Sequence, residues 1–485
     1  MKKRILLTLI WSALLTDVEL QAKQPDRPVN FVLIYLDDMG YGDLSLTGAI
    51  GYKTPNIDRL ANEGIFFTRY YSPQAVCSAS RVGLLTGCYP NRVGISGALG
   101  PNSEIGLNPE EETIAEVLKK KDYKTAAVGK WHLGHHKEFL PLQQGFDEYL
   151  GLPYSNDMWP VNYDGTPATK EGNSRKANFP VLPLIENNDK VREIKTLDDQ
   201  SELTTIYTEK AVQFIEANRK NPFFLYLAHS MPHVPLAVSS KFKGKSEQGM
   251  FGDVLMEIDW SVGEIIKTLE KNGLTQNTLI IFTSDNGPWL NFGNHAGNTG
   301  GLREGKGTTY EGGQRVPCLM RWKGTIPSGI VCNKLVSGID ILPTLATIAG
   351  APLPEKKIDG INLLPLLKGD EAVNPRTSFY YYYRKNSLEA VSNGNWKLIL
   401  PHPGRTYVGF LPGRDGQPGG TNENFNREGA LYDLRRDPGE QYNVQEQNPE
   451  IVAELEKMAT EARNDLGDDL TNSPGANRRE PGKIK

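Results

Sequence analysis

Residues 30–38, with the sequence NFVLIYLDD, contain the clearest indication of the fold. Asn30–Leu36 is a short apolar run rich in β-branched and aromatic residues, which is typical of a strand buried on both faces of a parallel sheet. Residues 278–286, with the sequence TLIIFTSDN, repeat the pattern, because the apolar run Thr278–Thr283 is also followed directly by oxygen-bearing side chains. Parallel strands end at a common edge of the sheet, where ligands bind. The two segments are therefore predicted to meet at one site.

Further strands and helices alternate with these two runs. Apolar runs at Phe223–Ala228 and Thr125–Val128 predict two more buried strands. Apolar residues at helical spacing predict helices at Ile57–Glu63, Thr113–Lys120, Leu203–Ala217 and Val254–Lys271. Strands separated by helices are typical of βαβ units. The predicted fold class is therefore α/β, with a large, mostly parallel sheet sandwiched between helices.

The sequence pattern changes beyond residue 370. Phe379–Tyr383, Glu389–Val391 and Trp396–Leu400 predict antiparallel strands, with a hairpin turn at Asn393-Gly394, and Pro449–Leu466 predicts an amphipathic helix. We therefore expect a catalytic domain over residues 23–370 and a smaller α+β subdomain, an antiparallel sheet plus a helix, over residues 371–471. The polar residues 472–485, which include Pro and Gly, are predicted to form a flexible tail.

The first 22 residues have the features of an export signal. A basic start, Lys2–Arg4, precedes an apolar run, Ile5–Leu15, and Ala22 offers a small residue at a plausible cleavage point. The run is shorter than the ~20 residues that a membrane-spanning helix needs, which favours a cleaved signal peptide over an uncleaved anchor. We expect an exported protein, periplasmic or secreted, with no membrane attachment after cleavage of residues 1–22.

Composition excludes several classes of protein. The 485 residues contain 54 Lys and Arg against 58 Asp and Glu, a net charge of −4, so the chain lacks the basic footprint of a nucleic-acid-binding protein. Hydrophobic residues make up 38% of the chain, which is enough for a packed core. Four cysteines in this length exclude a disulfide-stapled scaffold. A single disulfide between Cys318 and Cys332 is left open.

Carboxylates and an amide follow the two strands quoted first. Asp37 and Asp38 follow one strand, and Asp285 and Asn286 follow the other. Aspartate is common in turns that end strands, so each pair taken alone is interpreted as an ordinary strand-ending turn. Two strand ends that each offer adjacent oxygen atoms, however, favour one shared cation. An anionic, oxygen-only donor set favours Ca²⁺ or Mg²⁺ over zinc.

Cys77 begins a helical run at residues 77–85, with the sequence CSASRVGLL. A side chain at a helix N-terminus beside a cation, here Arg81, lies where negative charge is stabilised. A buried or disulfide-bonded structural cysteine is the alternative.

Six motifs in order carry a family resemblance. They are CSASR with LLTG (77–81 and 84–87), GKWH (129–132), HSMPHVP (229–235), TSDNG (283–287), GKGTTYEGG (305–313), and LYDL with DPGE (431–434 and 437–440). Together they resemble the type I, formylglycine-dependent sulfatases of the alkaline phosphatase superfamily, including its arylsulfatase A and N-acetylgalactosamine sulfatase branches. The resemblance covers residues 29 to about 445.

The resemblance implies a role for each matching residue. Cys77 would be oxidised to Cα-formylglycine (3-oxoalanine) by a sulfatase-maturing enzyme, and its hydrate would be the nucleophile. Position 79 is Ala where many members carry Pro, which leaves open which maturation enzyme acts. The calcium ligands, with Mg²⁺ possible, would be Cys77, Asp37, Asp38, Asp285 and Asn286. Arg81 would orient the hydrate, Lys130 and Lys306 would hold sulfate oxygens, and His132 and His233 would move protons.

Other residues are candidates for substrate contacts. His229, His295 and Trp289 are expected to contribute to sugar binding, with ordinary packing or turn roles as the alternatives. A transition-metal cluster of His132, His135 and His136 is a further alternative. The expected loops for substrate recognition are 154–163, 292–303 and 401–410.

The function implied by the resemblance is hydrolysis of sulfate monoesters on carbohydrates, with a galactose-type glycan as the expected substrate. A phosphodiesterase or phosphonate hydrolase of the same superfamily is one alternative. A catalytically silent protein that binds sulfated glycans is another, and it would retain an unmodified Cys77.

Overall fold

The computed structural model describes residues 27–370 and 372–484. The predicted signal peptide lies outside the described residues. Within the described ranges, no helix combines the length and the apolar character needed to cross a membrane.

The strands and helices follow one another as follows. The strands are β1 (Asn30–Leu36), β2 (Ile65–Tyr71), β3 (Ile105–Gly106), β4 (Lys124–Gly129), β5 (Glu148–Gly151), β6 (Leu182–Glu186), β7 (Asp189–Ile194), β8 (Phe223–Ala228), β9 (Thr278–Ser284), β10 (Arg315–Arg321), β11 (Ile330–Cys332), β12 (Val336–Ser337), β13 (Phe379–Tyr383), β14 (Ser387–Ser392), β15 (Trp396–Ile399), β16 (His402–Thr406), β17 (Asn422–Arg427), β18 (Ala430–Asp433) and β19 (Gly482–Lys483). The α-helices are α1 (Pro55–Asn62), α2 (Cys77–Thr86), α3 (Ile114–Lys119), α4 (Lys170–Ala177), α5 (Leu197–Ser201), α6 (Leu203–Ala217), α7 (Met250–Lys271), α8 (Glu311–Gln314), α9 (Ile341–Ala349), α10 (Leu364–Leu367) and α11 (Pro449–Leu466).

A large sheet runs through the body of the molecule in the order β11-β2-β10-β9-β1-β8-β4-β5-β6-β7, with β12 beside β2. The central strands β9, β1, β8, β4 and β5 are parallel. Antiparallel pairings flank them at β10 on one side and at β6 and β7 on the other. The α/β fold with a large, mostly parallel sheet is thereby confirmed, and the sheet is mixed at its flanks.

Successive residues of β1 belong to different hydrophobic cores. Val32, Ile34 and Leu36 pack into one core. Phe31 and Leu33 pack into the other, together with Tyr35. Alternate side chains of a strand point to opposite faces, so the sheet is covered by apolar packing on both faces, as the unbroken hydrophobic run predicted.

A smaller antiparallel sheet follows in the order β13-β14-β15-β18, with α11 packed against it. Its core includes residues of the larger part, notably Tyr71, Tyr89 and Tyr310. The predicted sheet and helix are therefore both present. Where the domains divide stays a prediction, because the two parts share this apolar core.

A buried charge cluster joins the two parts. Lys397 on β15 lies 3.1 Å from Glu311 Oε1 and 2.9 Å from Glu440 Oε1, and all three side chains are fully buried. Burial and the charge of Glu311 raise the pKa of Glu440 to about 7, against the attraction of Lys397. Lys397 is therefore the counter-charge that the two buried carboxylates share, and Arg315, 3.6 Å from Glu311, is a second one for that carboxylate.

Replacing Lys397 with methionine is expected to destabilise the protein by about 3–5 kcal/mol, because the carboxylates lose their buried counter-charge. Denaturant unfolding followed by circular dichroism measures this effect. The matched control is Lys119→Met, which removes an exposed lysine paired with Asp147 at 2.8 Å and should cost less than about 1 kcal/mol. Equal destabilisation by the two variants would contradict a structural role for the cluster.

The C-terminal residues differ from the predicted flexible tail. Gly482 and Lys483 form β19, which pairs with β3. Arg479 Nε lies 2.7 Å from Glu111 Oε1, across 368 positions of sequence. A charged contact and strand pairing hold this segment against the body, and neither partner could be identified from the segment's polar composition.

Candidate active site

The four predicted oxygen donors come together at the ends of two neighbouring strands. Leu36 on β1 is in register with Ser284 on β9, so the two strands end level. The backbone N–H of Asp38 donates to Asp285 Oδ1 at 3.1 Å. Asn286 Nδ2 donates to Asp38 Oδ1 at 2.7 Å. With Asp37, they form one buried group of oxygen-bearing side chains.

Three cations surround this group. Arg81 on α2 donates to Asp285 Oδ2 through Nε at 3.1 Å and Nη2 at 2.7 Å. Lys130, directly after β4, contacts Asp37 Oδ2 and donates to Ser155 Oγ at 3.1 Å. Lys306 Nζ lies 2.7 Å from Asp38 Oδ1. Burial alone would raise the pKa of Asp37, but Lys130 and Arg81 outweigh it and hold that pKa far below its ordinary value.

Two buried oxygens of this group, Asp37 Oδ1 and Asn286 Oδ1, have no hydrogen-bond partner among the residues that the structure describes. A buried acceptor without a partner is costly. A hard cation takes carboxylate and amide oxygens as ligands and would satisfy both atoms. The donor set therefore fits a Ca²⁺ or Mg²⁺ ion. The structure also brings His233 to Asp37 and Asp38 within a ligand-sized group.

Cys77 is the first residue of α2 and lines a cavity of about 460 Å³. His233, Trp289 and Lys306 line the same cavity, whereas Arg81 lies buried outside its lining. Burial raises the pKa of the Cys77 thiol, although Lys130 and Lys306 oppose the shift. The unmodified residue is therefore a protonated thiol, which is a poor nucleophile.

His132 and His233 differ in their partners. His132 Nε2 lies 2.8 Å from the Leu99 carbonyl oxygen, while its buried Nδ1 has no partner. His233 Nδ1 lies 2.5 Å from the Val234 carbonyl oxygen, and its Nε2 lies 3.5 Å from Asp38 Oδ2. Burial lowers the pKa of both rings, assisted by Lys130 at His132 and by Lys306 at His233. Both imidazoles are therefore held toward the neutral form.

The three candidates for sugar binding differ in whether they line the active-site cavity. Trp289 lines the cavity, and Lys306 Nζ lies 4.8 Å from its ring centroid. His229 is fully buried, and its Nε2 lies 3.2 Å from Ser261 Oγ. His295 belongs to a partly exposed turn whose neighbour Asn294 bonds Asp415 at 2.7 Å. Neither His229 nor His295 is among the residues that line the cavity.

The histidine cluster left open as an alternative metal site does not assemble. Among the described residues, the ligand-sized group is Asp37, Asp38 and His233. His135 and His136 pack against one another with ring centroids 4.1 Å apart. His132 instead faces the Leu99 carbonyl.

Several cavity residues were not identified from the sequence. Ser155 and Asp157 follow β5, so the strand-end argument could have found them, and they do fall within the expected loop 154–163. Arg405 on β16 also falls within an expected loop, 401–410, whereas Tyr383 on β13 lies outside all three expected loops. No local pattern marks Tyr383, because a contact across so much sequence depends on how the sheets dock.

Cys318 and Cys332 do not form a disulfide. Cys318 on β10 and Cys332 on β11 both pair with Phe67 of β2, from opposite sides. Two strand spacings of ~4.8 Å place their Cα atoms ~10 Å apart, beyond the ~7 Å that a disulfide can bridge.

A covered, mostly parallel sheet with buried oxygen donors at its strand ends, beside a cysteine and three cations, is the arrangement of an alkaline-phosphatase-like fold. Comparison with known proteins gives the family. The sulfatase family model matches residues 29–351, and a model of the C-terminal region of aryl-sulfatases matches residues 374–480. The chain belongs to the sulfatase family and is a sulfuric ester hydrolase.

Individual relatives agree with this assignment. The chain is 39% identical to arylsulfatase A of Homo sapiens, over 89% of this chain and 87% of that protein. It is 38% identical to N-acetylgalactosamine-6-sulfatase of Mus musculus, over 88% and 84% of the two chains. The crystal structure of PsFucS1 sulfatase from Pseudoalteromonas sp. superposes with a TM-score of 0.81 at 28% identity, over 96% of this chain and 94% of that chain.

Proposed function

We propose that this sulfatase cleaves sulfate esters of O-sulfated carbohydrates, using an oxidised Cys77 beside a calcium ion. The observation that carries the proposal is the pair of unpartnered buried oxygens, Asp37 Oδ1 and Asn286 Oδ1, close to a cavity that Cys77 lines. Asp38 and Asp285 complete the proposed ligand set with Cys77. When bound, the divalent cation would supply charge neutralisation at the reacting sulfate and lower the pKa of an attacking hydroxyl.

The three cations of the site would hold the sulfate group. Lys306 reaches the cavity, and Lys130 and Arg81 lie behind it, each within ion-pair distance of a proposed metal ligand. Cleavage of a sulfate ester develops negative charge on the non-bridging and leaving oxygens. Buried cations aimed at those positions stabilise that charge more than they would in water.

The two histidines have complementary positions for moving protons. His233 lines the cavity, where a substrate's leaving oxygen would lie. We assign it to protonation of that oxygen through Nε2, which must first take up a proton because the ring is held toward the neutral form. His132 keeps a free, buried Nδ1 while the Leu99 carbonyl fixes the other ring nitrogen. With its pKa lowered by burial, it is suited to accept a proton, and we assign it as the base.

Oxidation of Cys77 to formylglycine would require a sulfatase-maturing enzyme. The buried, protonated thiol supports the need for a modification, because the cysteine as translated is poorly activated. The predicted signal peptide would send the protein out of the cytoplasm, and we propose a periplasmic or secreted location.

The cavity is suited to a polar, anionic ring. Asp157, Arg175 and Tyr163 join Trp289 around it, so hydroxyl-binding groups and an aromatic face are both present. A solved relative, Ps i-CgsB in complex with k-i-k-neocarrahexaose, is 28% identical with a TM-score of 0.74. We propose a galactose-type sulfated glycan as the substrate class.

The function is tested by parallel assays with an aryl sulfate and the matching aryl phosphate, followed by a panel of 2-, 3-, 4- and 6-O-sulfated galactose and N-acetylgalactosamine. We expect sulfate release to exceed phosphate release and one sulfated position to dominate. A preference for the phosphate ester would favour the phosphoryl hydrolase. Release from neither ester by a preparation with oxidised Cys77 would contradict the proposal.

Replacing Lys306 with methionine tests the charge at the cavity. The variant keeps a side chain of similar length but removes the ammonium group beside Asp38. We expect kcat/KM for an aryl sulfate to fall about 10²–10³-fold, the effect of removing one preorganised transition-state donor. The control Lys267→Met alters a side chain that is 75% exposed and should leave kcat/KM unchanged. A loss below fivefold in Lys306→Met would exclude a direct role.

A further inference from the structure

A second, larger cavity lies outside the active site. Its volume is about 640 Å³, and it opens between the outer strands of the large sheet and the C-terminal sheet. Arg69 on β2 forms one wall, Lys334 between β11 and β12 forms another, and the turn at residues 393–395 between β14 and β15 closes a third side. None of the catalytic candidates lines this cavity.

The lining is strongly cationic. Its charged residues are all basic, without an aspartate or glutamate among the residues that line it: Arg69, Arg315, Lys334, Arg376 and Arg435. Carboxylates outside the lining neutralise three of them. Arg376 pairs with Asp340, Arg315 lies 3.6 Å from Glu311, and Arg435 lies 2.7 Å from Asp433.

Arg69 and Lys334 are left without such a counter-charge. Arg69 Nη2 is buried and has no hydrogen-bond partner among residues 27–370 and 372–484. Neither side chain has a carboxylate within ion-pair distance in the described part of the chain, although the molecule as a whole is acidic. A buried guanidinium nitrogen without a hydrogen-bond partner, in a cavity whose other charged lining residues are also basic, calls for an anion.

The uncharged residues that line the second cavity indicate what kind of anion it would bind. Asn333, Asn374 and Asn395 are exposed at the cavity, and their carboxamides can both donate to and accept from hydroxyl groups. Aromatic side chains are absent from the residues that line it, so the bases of a nucleic acid would find no stacking surface there. Cations combined with carboxamides suit a sulfated saccharide.

The position of the cavity relates it to the active site. Tyr383, at one end of β13, lines the active-site cavity, and its pairing partner Ser387 begins β14. At the other end Phe379 pairs with Ser392, which leads into the turn at residues 393–395. The hairpin therefore separates the two cavities by about 15 Å, at ~3.3 Å per residue. A glycan chain of a few sugar units spans that distance.

We propose that this second cavity, defined by Arg69, Lys334 and the turn at residues 393–395, binds a sulfated segment of the same polysaccharide whose ester is cleaved. The inference rests on the proposed carbohydrate substrate. It makes the cavity an accessory site that increases affinity for the polymer and takes no part in the chemistry.

The test uses the inactive Cys77→Ala chain, so that binding is measured without turnover. Dextran sulfate is the probe and uncharged dextran the reference, with affinity measured by calorimetry. Adding Arg69→Ala and Lys334→Ala is expected to weaken dextran sulfate binding about tenfold or more, since charge-assisted contacts are lost. The matched control is Arg219→Ala with Lys220→Ala, which removes the same charges from an exposed site before β8.

A second measurement uses chains that retain Cys77. The Arg69→Ala, Lys334→Ala variant should keep kcat/KM for an aryl sulfate and lose several-fold in kcat/KM for a sulfated polysaccharide. Dextran sulfate binding equal to that of the parent, or an equal loss in the control pair, would contradict the proposed accessory site. Failure of the proposed function shows separately, as absence of aryl sulfate turnover in the parent enzyme.

Discussion

The Cys77→Ala variant is expected to lose sulfatase activity by about 10⁴-fold or more, the usual effect of removing a covalent nucleophile from a catalytic unit. Cys77 lies at the start of α2, beside the cations of the site and in the wall of the cavity. Alanine keeps the helix and the packing but leaves no side-chain atom that can be oxidised or can attack sulfur. Initial rates of sulfate release from an aryl sulfate measure the effect.

Cys88→Ala is the matched control. Cys88 is equally buried, only a few residues beyond the end of α2, and its sulfur lies 3.4 Å from Arg479 Nη2, away from the cavity. This variant should retain activity within a few-fold of the parent, with at most a modest loss of stability. Near-normal activity in Cys77→Ala, or an equal loss in Cys88→Ala, would contradict the assignment of the nucleophile.

Removal of the proposed divalent cation is expected to abolish turnover and to lower stability. Without the ion, Asp37 Oδ1 and Asn286 Oδ1 remain buried without partners, and three carboxylates repel one another. Dialysis against a chelator, verified by elemental analysis, should eliminate sulfate release. Adding Ca²⁺ back at 100 times its Kd should restore activity and raise the free energy of unfolding by about 2.7 kcal/mol.

The Asn286→Ala variant tests the proposed ligand set itself. It removes one unpartnered oxygen while keeping all the carboxylates, so Ca²⁺ affinity should fall about tenfold or more without abolishing the fold. Full activity in a verified metal-free enzyme, or a Ca²⁺ affinity unchanged by Asn286→Ala, would contradict the proposed ligand set.

The centre of the fold could be predicted because hydrophobicity and strand-end chemistry are local properties. Asn30–Leu36 and Phe223–Ala228 have the bounds that their apolar runs predicted, as do α6 and α11. The donors after β1 and β9 meet because the two strands are neighbours and end in register. The rule that parallel strands share one ligand-binding edge was sufficient to predict that these donors lie close together.

The parts that could not be predicted depend on pairing between distant segments. The antiparallel direction of β10 is not encoded in its apolar residues, since both directions bury the same side chains. Tyr383 reaches the cavity only because the C-terminal sheet docks on the larger part. The C-terminal segment, residues 472–484, is held against the body by long-range contacts such as that of Arg479 with Glu111.

We propose that an oxidised residue 77 carries the reaction, and mass spectrometry of the peptide containing that residue measures its oxidation. Preparations made with increasing amounts of a sulfatase-maturing enzyme should contain increasing fractions in which sulfur is replaced by oxygen and two hydrogens are lost. Specific activity toward an aryl sulfate should rise in proportion to that fraction and extrapolate to zero at none. Full activity in a preparation whose residue 77 is entirely cysteine would contradict the proposal that oxidation of this residue is required for the reaction.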